Sequence, residues 1–237
     1  RVRAYAKQEK FALAKHELDK MSCLSPKGLE DCKLMLDIYL KSYDLGNVDY
    51  ITDLCMEKGF KDKSVILHKS KARELRGDFA GALGVIGAEL GNSGSGSGSA
   101  ANDPDYFLTA AQILTRMNNT QGAAAAYLNV FRLAGENLEI KFKALGALVD
   151  LKANEQALAV AKNLATQSFT QSAAYFLLAR IFLQLNDSAD AKIAYEKGLP
   201  LLAVLEEKVR AQITQNFQDV VQALAGKKEL LPNLPRK

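Results

Sequence analysis

Ala123, Ala157 and Ala191 stand 34 residues apart, and the residues around them repeat in step. Twelve residues before each alanine are Ala111, Leu145 and Ala179, nine before are Leu114, Leu148 and Phe182, and four after are Tyr127, Ala161 and Tyr195. Small and aromatic residues recurring with this period predict an array of helical hairpins. Each hairpin buries its apolar side against the next, so the core runs along the stack.

The third copy, residues 172 to 200, shows the unit most clearly. Tyr175, Leu178, Ala179 and Phe182 fall on one face of a first helix. Asn186 and Asp187 break the apolar pattern and favour a turn and an N-cap. Ala191, Tyr195 and Gly198 mark the inner face of a second helix, and Pro200 is expected to end it. This order of large, Leu, small and aromatic, then Ala, aromatic and small, then Pro, resembles the tetratricopeptide repeat, with Pro200 displaced by a few residues from the family's usual proline. The resemblance implies an all-α fold, a right-handed superhelix (α-solenoid) of antiparallel helix pairs.

The flanks extend the pattern. Residues 77 to 83, GDFAGAL, match the turn between two helices followed by the small residue Ala82, with residues 66 to 76 as the first helix. Residues 29 to 43 and 48 to 58 form an earlier pair around a turn at Gly46-Asn47. There the register drifts to 31 residues, Ile51 being the counterpart of Ala82. Phe11, Ala14, Leu18, Met21 and Pro26 match a second helix and its closing proline. A first helix confined to residues 1 to 7, and Arg in place of an initial Met, lead to the expectation of a piece cut from a longer protein. At the other end Leu205, Val209, Ile213, Phe217, Val220, Val221 and Leu224 make an apolar stripe on one long helix with polar residues opposite. A stacked array needs such a cap over its last face. The expected domains are 1–92, a partial unit and two helix pairs; 93–100, a linker; 101–204, three repeats; 205–225, a capping helix; and 226–237, a tail.

Residues 93 to 99 read SGSGSGS, the composition of an engineered flexible linker. Two readings stay open. Ala82 and Ala123 are 41 residues apart, one period plus 7, as for an insert between consecutive repeats. Against this, Cys23, Cys32, Cys55, His16 and His68 all precede the linker and the part after it is rich in Ala, Gln and Asn, as in a fusion of two chains.

The net charge of +4, with both signs interspersed, argues against a nucleic-acid surface. No apolar run is long enough to span a bilayer. Three cysteines without a C-x-x-C spacing exclude zinc and thioredoxin-like readings. Cys32 and Cys55 read as small buried hydrophobes, and free thiols point to a reducing, cytoplasmic setting. Neither histidine has a second His or Cys one turn away, and no Ser, Cys or Asp stands with His68 at fixed helical spacing. No catalytic, metal or cofactor site is expected, so the chain is not read as an enzyme. The glycines at 81, 84 and 87 superficially suggest a dinucleotide loop, but no strand precedes them. They are expected to allow a close helix approach.

The tetratricopeptide resemblance further implies that first helices line a concave groove holding a peptide or helix of a partner protein. Carried over position by position, the groove residues include Leu36, Tyr43, His68, Lys71 and Glu74 before the linker, then Gln112 and Arg116, then Phe142, Lys143, Phe176 and Arg180. Phe142 and Phe176 are the expected apolar anchors, and Lys143 and Arg180 the groups meeting partner acids. The family's carboxylate-clamp mode is not expected, because Leu67, Lys71, Asp105, Thr109 and Lys143 stand at its positions and its asparagines are missing. The expected function is a non-catalytic adaptor or scaffold. The alternatives are a structural subunit assembling through its ends or through Leu230, Leu231, Pro232, Leu234 and Pro235 of the tail, and the regulatory domain of a larger enzyme or signalling protein.

Overall fold

One backbone turn recurs six times and sets the architecture. Glu9, Tyr43, Gly77, Asn118, Lys152 and Asn186 all have positive φ, between 56° and 82°. Each follows the last by 34 residues, except for 41 between Gly77 and Asn118. The computed structural model describes residues 1–21, 25–91, 100–167, 169 and 171–224. Each turn joins the two helices of a hairpin: α1 (Val2–Lys7) and α2 (Phe11–Asp19), α3 (Leu29–Lys41) and α4 (Leu45–Glu57), α5 (Lys63–Leu75) and α6 (Phe79–Gly91), α7 (Pro104–Arg116) and α8 (Thr120–Leu133), α9 (Leu138–Asp150) and α10 (Asn154–Ala165), α11 (Ser172–Gln184) and α12 (Ser188–Ala203). Two short helices follow, α13 (Glu207–Asn216) and α14 (Gln218–Leu224). No strand occurs among the described residues. The fold is all-α, built of antiparallel tetratricopeptide-like helix pairs. The chain forms two compact units, Arg1–Leu133 and Ala134–Lys237.

The turn is held by its own hydrogen bonds. The amide after each left-handed residue donates to the carbonyl five positions back, as in Asp44 to Tyr39 at 2.9 Å, Asn119 to Leu114 at 2.9 Å and Asp187 to Phe182 at 2.8 Å. This bond closes the first helix in a Schellman manner. The same residues then cap the second helix. Asp44 accepts from the Asn47 amide, Asp78 from Gly81, Asn119 from Gly122 and Asp187 from Asp190. Gly77 is the one turn residue free of a Cβ penalty at this φ.

Five positions after each turn residue stand Ala14, Val48, Ala82, Ala123, Ala157 and Ala191, every one of them 0% exposed. This is a buried contact between the two helices of each pair, and it corrects the register of the second pair. Val48, not Ile51, is the counterpart of Ala82, so no drift occurs. The turn lies at Tyr43, while Gly46 and Asn47 belong to the first turn of α4. Ser70 takes the place of Ala111 and Ala179 on the facing helix, and its hydroxyl donates to the Ala82 carbonyl at 3.0 Å.

Other expectations change as well. Cys32 and Cys55 are joined in a disulfide, with Cα atoms 6.2 Å apart, so the free-thiol reading does not hold for these two. Both sit at the contact between α3 and α4. Pro200 does not end its helix, which runs on to Ala203. Only the last turn lies beyond it, where a lost amide bond costs least. The capping segment is broken at Phe217 (φ −119°, ψ 29°) rather than continuous. Of its two parts, α14 buries Val220 and Val221, whereas α13 buries nothing. Gly84 and Gly87 serve no close helix approach, since a Cβ at either would meet nothing within 4 Å, whereas a Cβ at Gly81 would collide with the capping carboxylate of Asp78. Cys23, the Gly/Ser segment and the tail lie outside the described residues.

Two glycine substitutions should therefore shift stability in opposite directions. Gly84→Ala gains helix propensity on an open face and should stabilise by about 0.5–1 kcal/mol. Gly198→Ala puts a Cβ 3.1 Å from Tyr175 Cβ and 3.2 Å from Phe176 Cε1, and should destabilise by about 1–2 kcal/mol. Urea midpoints compared at equal m-value check both signs.

Candidate functional site

The first helices of the N-terminal unit carry a ladder of ion pairs. Lys33 on α3 lies 3.6 Å from Asp62 at the start of α5. Lys63 on α5 reaches Asp103 at 2.9 Å and Asp105 at 2.6 Å, at the start of α7. Hydrogen bonds from Lys63 to Asp105 and Asp103 raise its ammonium above the ordinary lysine range. At the other end of α5 is Glu74, a carboxylate only 3% exposed. Lys71, one turn away, donates to its Oε2 at 2.8 Å. Arg116 of α7 brings Nη1 to 2.9 Å from Oε1, in an ion pair off the hydrogen-bond line. A buried carboxylate left without its cations is costly, so these two groups are committed to the fold.

His68 bridges α3 and α5. Its Nε2 lies 2.9 Å from Asp37 Oδ1, and its Nδ1 lies 2.6 Å from the Ser64 carbonyl oxygen. Both partners accept, so both contacts are hydrogen bonds only when the ring carries two protons. A Ser, a His and an Asp thus meet here, against the expectation of no such company. They do not form a nucleophile relay. The Ser64 hydroxyl donates to Asp62 at 2.6 Å, and the histidine contacts only the serine backbone.

The remaining expected groove residues divide by burial. In the N-terminal unit Tyr43 is 75% exposed on its left-handed backbone, and Gln112 is exposed. Leu36 is 0% exposed and belongs to the core. Its position seven before the turn residue is that of Ala111, Leu145 and Ala179, which the drifted alignment concealed. In the C-terminal unit Phe142 is half-buried, its ring 5.9 Å from that of Phe169. Lys143 is exposed, with no ion pair among the described residues. Phe176 is 1% exposed and packs between Tyr195 at 5.5 Å and Phe217 at 5.8 Å. This anchor is therefore interior, because Phe217 covers the face on which it stands. Arg180 is equally engaged. Its Nε donates to Asp219 Oδ2 at 2.8 Å, its Nη2 to the Asn216 carbonyl at 2.6 Å, and its guanidinium lies 4.6 Å over the Phe217 ring.

The structure thus brings Lys71 and Arg116 together through Glu74, and Phe176 and Arg180 together through the terminal helices. The sequence reading places Glu74 on the groove face, but it is buried. It stands three before the turn residue, where the other complete pairs have Leu40, Thr115, Val149 and Leu183. Among the described residues no group of three or more His, Cys, Asp or Glu could hold a metal ion, and no helix is long and apolar enough to cross a membrane.

No family model matches the chain, and no curated protein sequence does. Among solved structures it is similar to the MamA protein, at 10% identity over 87% of this chain and 98% of that one, with a TM-score of 0.49. A tetratricopeptide repeat protein from Parabacteroides merdae is 13% identical over 92% of this chain and 81% of its own, with a TM-score of 0.46. BtubC (BKLC) from P. vanneervenii is 18% identical over 90% and 97%, at 0.45. These scores add nothing to the fold class that the helix pairs themselves establish.

Hydrogen bonds from Arg180 hold the Asp219 carboxyl below the usual carboxylate range. A depressed folded value contributes stability above the unfolded value, about 4, and loses it as pH falls through the folded one. Attachment of α14 should thus be unchanged from pH 7 to about 5 and weaken below about 4. Asp219 is 59% exposed on its side chain, so the effect is small. Arg180→Ala should remove that pH dependence and speed amide exchange in α14 at neutral pH, while α9 and α10 exchange as before.

Proposed function

We propose that the chain is a non-catalytic protein-binding scaffold, its first helices presenting the surface on which a peptide or helix of another protein lies. One observation supports this reading above others. Six hairpins spend their repeated positions on packing, yet Tyr43, Gln112 and Lys143 remain exposed on or beside first helices, their side chains engaged in no hydrogen bond or ion pair among the described residues. Exposed aromatic and polar side chains held on helices are suited to recognition. With Lys71 and Arg116 committed to Glu74, and Arg180 to Asp219, attraction for acidic partner groups falls to Lys143. The half-buried Phe142 beside it offers a ring edge to an apolar partner residue. The Gly/Ser segment is read as an insert between consecutive pairs of one array, supported by the surplus of 7 residues and by Lys63, whose two acidic partners lie beyond the segment. No nucleic-acid partner is proposed, in keeping with the balanced charge.

A second reading, assembly through the C-terminal end, is favoured by Val204 before α13 and Val209 within it, 81% and 45% exposed, on a helix that buries no residue of its own.

Affinity capture from source lysate should separate these. Tyr43→Ala, Gln112→Glu and Lys143→Glu together leave every described internal contact in place. The triple variant should retain its helicity and bind a partner captured by the parent at least about tenfold more weakly, roughly 1.4 kcal/mol. Equal capture by both would remove the first-helix surface from consideration. A mass that rises with concentration and falls on Val204→Glu would give the function to assembly.

A further inference from the structure

The residues 11 before and 12 after a turn residue face each other across the hairpin. In the last pair these are Tyr175 and Gly198, where a Cβ on the glycine would lie 3.1 Å from that of the tyrosine. In the second pair they are Cys32 and Cys55, 23 residues apart and disulfide-bonded. The bond therefore occupies a contact that belongs to the repeat itself. Both cysteines are 0% exposed, among Met35, Leu36, Ile38, Tyr39, Val48 and Ile51. Ile66 and Glu89, Phe107 and Val130, and Lys141 and Leu164 hold the equivalent places in the other complete pairs, so only this pair carries a covalent link there.

We propose that Cys32–Cys55 is a redox lock on the α3–α4 pair. As a disulfide it limits how far the two helices separate, because the cross-link removes open conformations of the loop it closes. As two thiols the same atoms remain small apolar fillers, so the pair still folds but opens more readily. The step balances with a dithiol reductant. The S–S bond takes up two electrons and two protons to give two thiols, and the reductant closes to its own disulfide. Re-locking transfers the electrons to a disulfide of the glutathione class. With both sulfurs fully buried, thiolate attack waits on opening of the pair, so reduction is slow and opening itself is the gate. The consequence reaches the surface described above, since α3 carries Asp37, the partner of His68 on α5. The lock stands whether or not that surface binds a partner.

The test uses the full chain purified without reductant. Thiols counted after denaturation should number one, and peptide mapping should place the link between Cys32 and Cys55. Three free thiols, or a link through Cys23, would overturn the proposal. Amide exchange is then followed with and without dithiothreitol. Exchange in α3 and α4 should rise about tenfold or more on reduction, while α11 and α12 stay unchanged. Cys32→Ala with Cys55→Val, which keeps the site filled, should exchange at the reduced rate and ignore the reductant. Exchange in α3 and α4 that is the same before and after reduction would sink the lock.

Discussion

Everything in this structure depends on one recurring contact, at which a residue of the second helix of each pair is fully buried against the first. Ala14, Val48, Ala82, Ala123, Ala157 and Ala191 are that contact, each with no exposed surface. That burial fixes the rotation of each second helix and so decides which side chains go inward. The turn five residues earlier enforces it. A left-handed residue and a carbonyl bonded to the amide of the next residue leave the chain one way to re-enter a helix. Dispersion contacts at such a junction are individually weak and collectively large, and any added methyl group must displace a neighbour. The single Val among five alanines shows the tolerance of the site: Val48 is accommodated, and across that same hairpin the helices are also joined by the disulfide.

Charge obeys a second economy. A hairpin array exposes much polar surface, and long cationic side chains on first helices are easily read as awaiting a partner. Here the N-terminal unit uses them to tie one first helix to the next. Glu74 takes an apolar position and would be untenable there without Lys71 and Arg116. The C-terminal unit applies the same logic at its end, where Arg180 is held by Asp219 and by the Asn216 carbonyl, over the ring of Phe217. Cations spent in this way still shape the surface potential, but they are poorly placed to gain a partner without losing an internal bond. In the proposed scaffold, recognition would rest on groups whose neighbours ask nothing of them.

Much of this fold was legible in the sequence because its cause is periodic. Asn186, Asp187 and Ala191 announce a turn, a cap and a contact, and the structure supplies all three. Legibility failed where one residue type stood in for another. Tyr43 holds a left-handed turn with no glycine or asparagine to mark it, so Gly46-Asn47 stands out as the bend instead and the pair reads three residues out of register. That slip turned Leu36 from a core residue into a groove residue. Phe176 was misplaced for another reason. Its position faces outward in a repeat with a free face, and it became interior because Phe217, 41 residues later, folds over it. Spacing alone does not reveal a long-range contact of that kind.

The cysteines show the same limit from the other side. No motif marks Cys32 and Cys55 as partners, and as isolated residues on apolar faces each is well explained by burial. Only the repeat register places them opposite each other, at the contact that Tyr175 and Gly198 make in the last pair. A large residue against the smallest one, and two sulfurs joined by a bond, are different solutions to filling the same gap. The first is fixed at synthesis. The second depends on the electron supply around the protein, so a position that elsewhere only fills space can here respond to its surroundings.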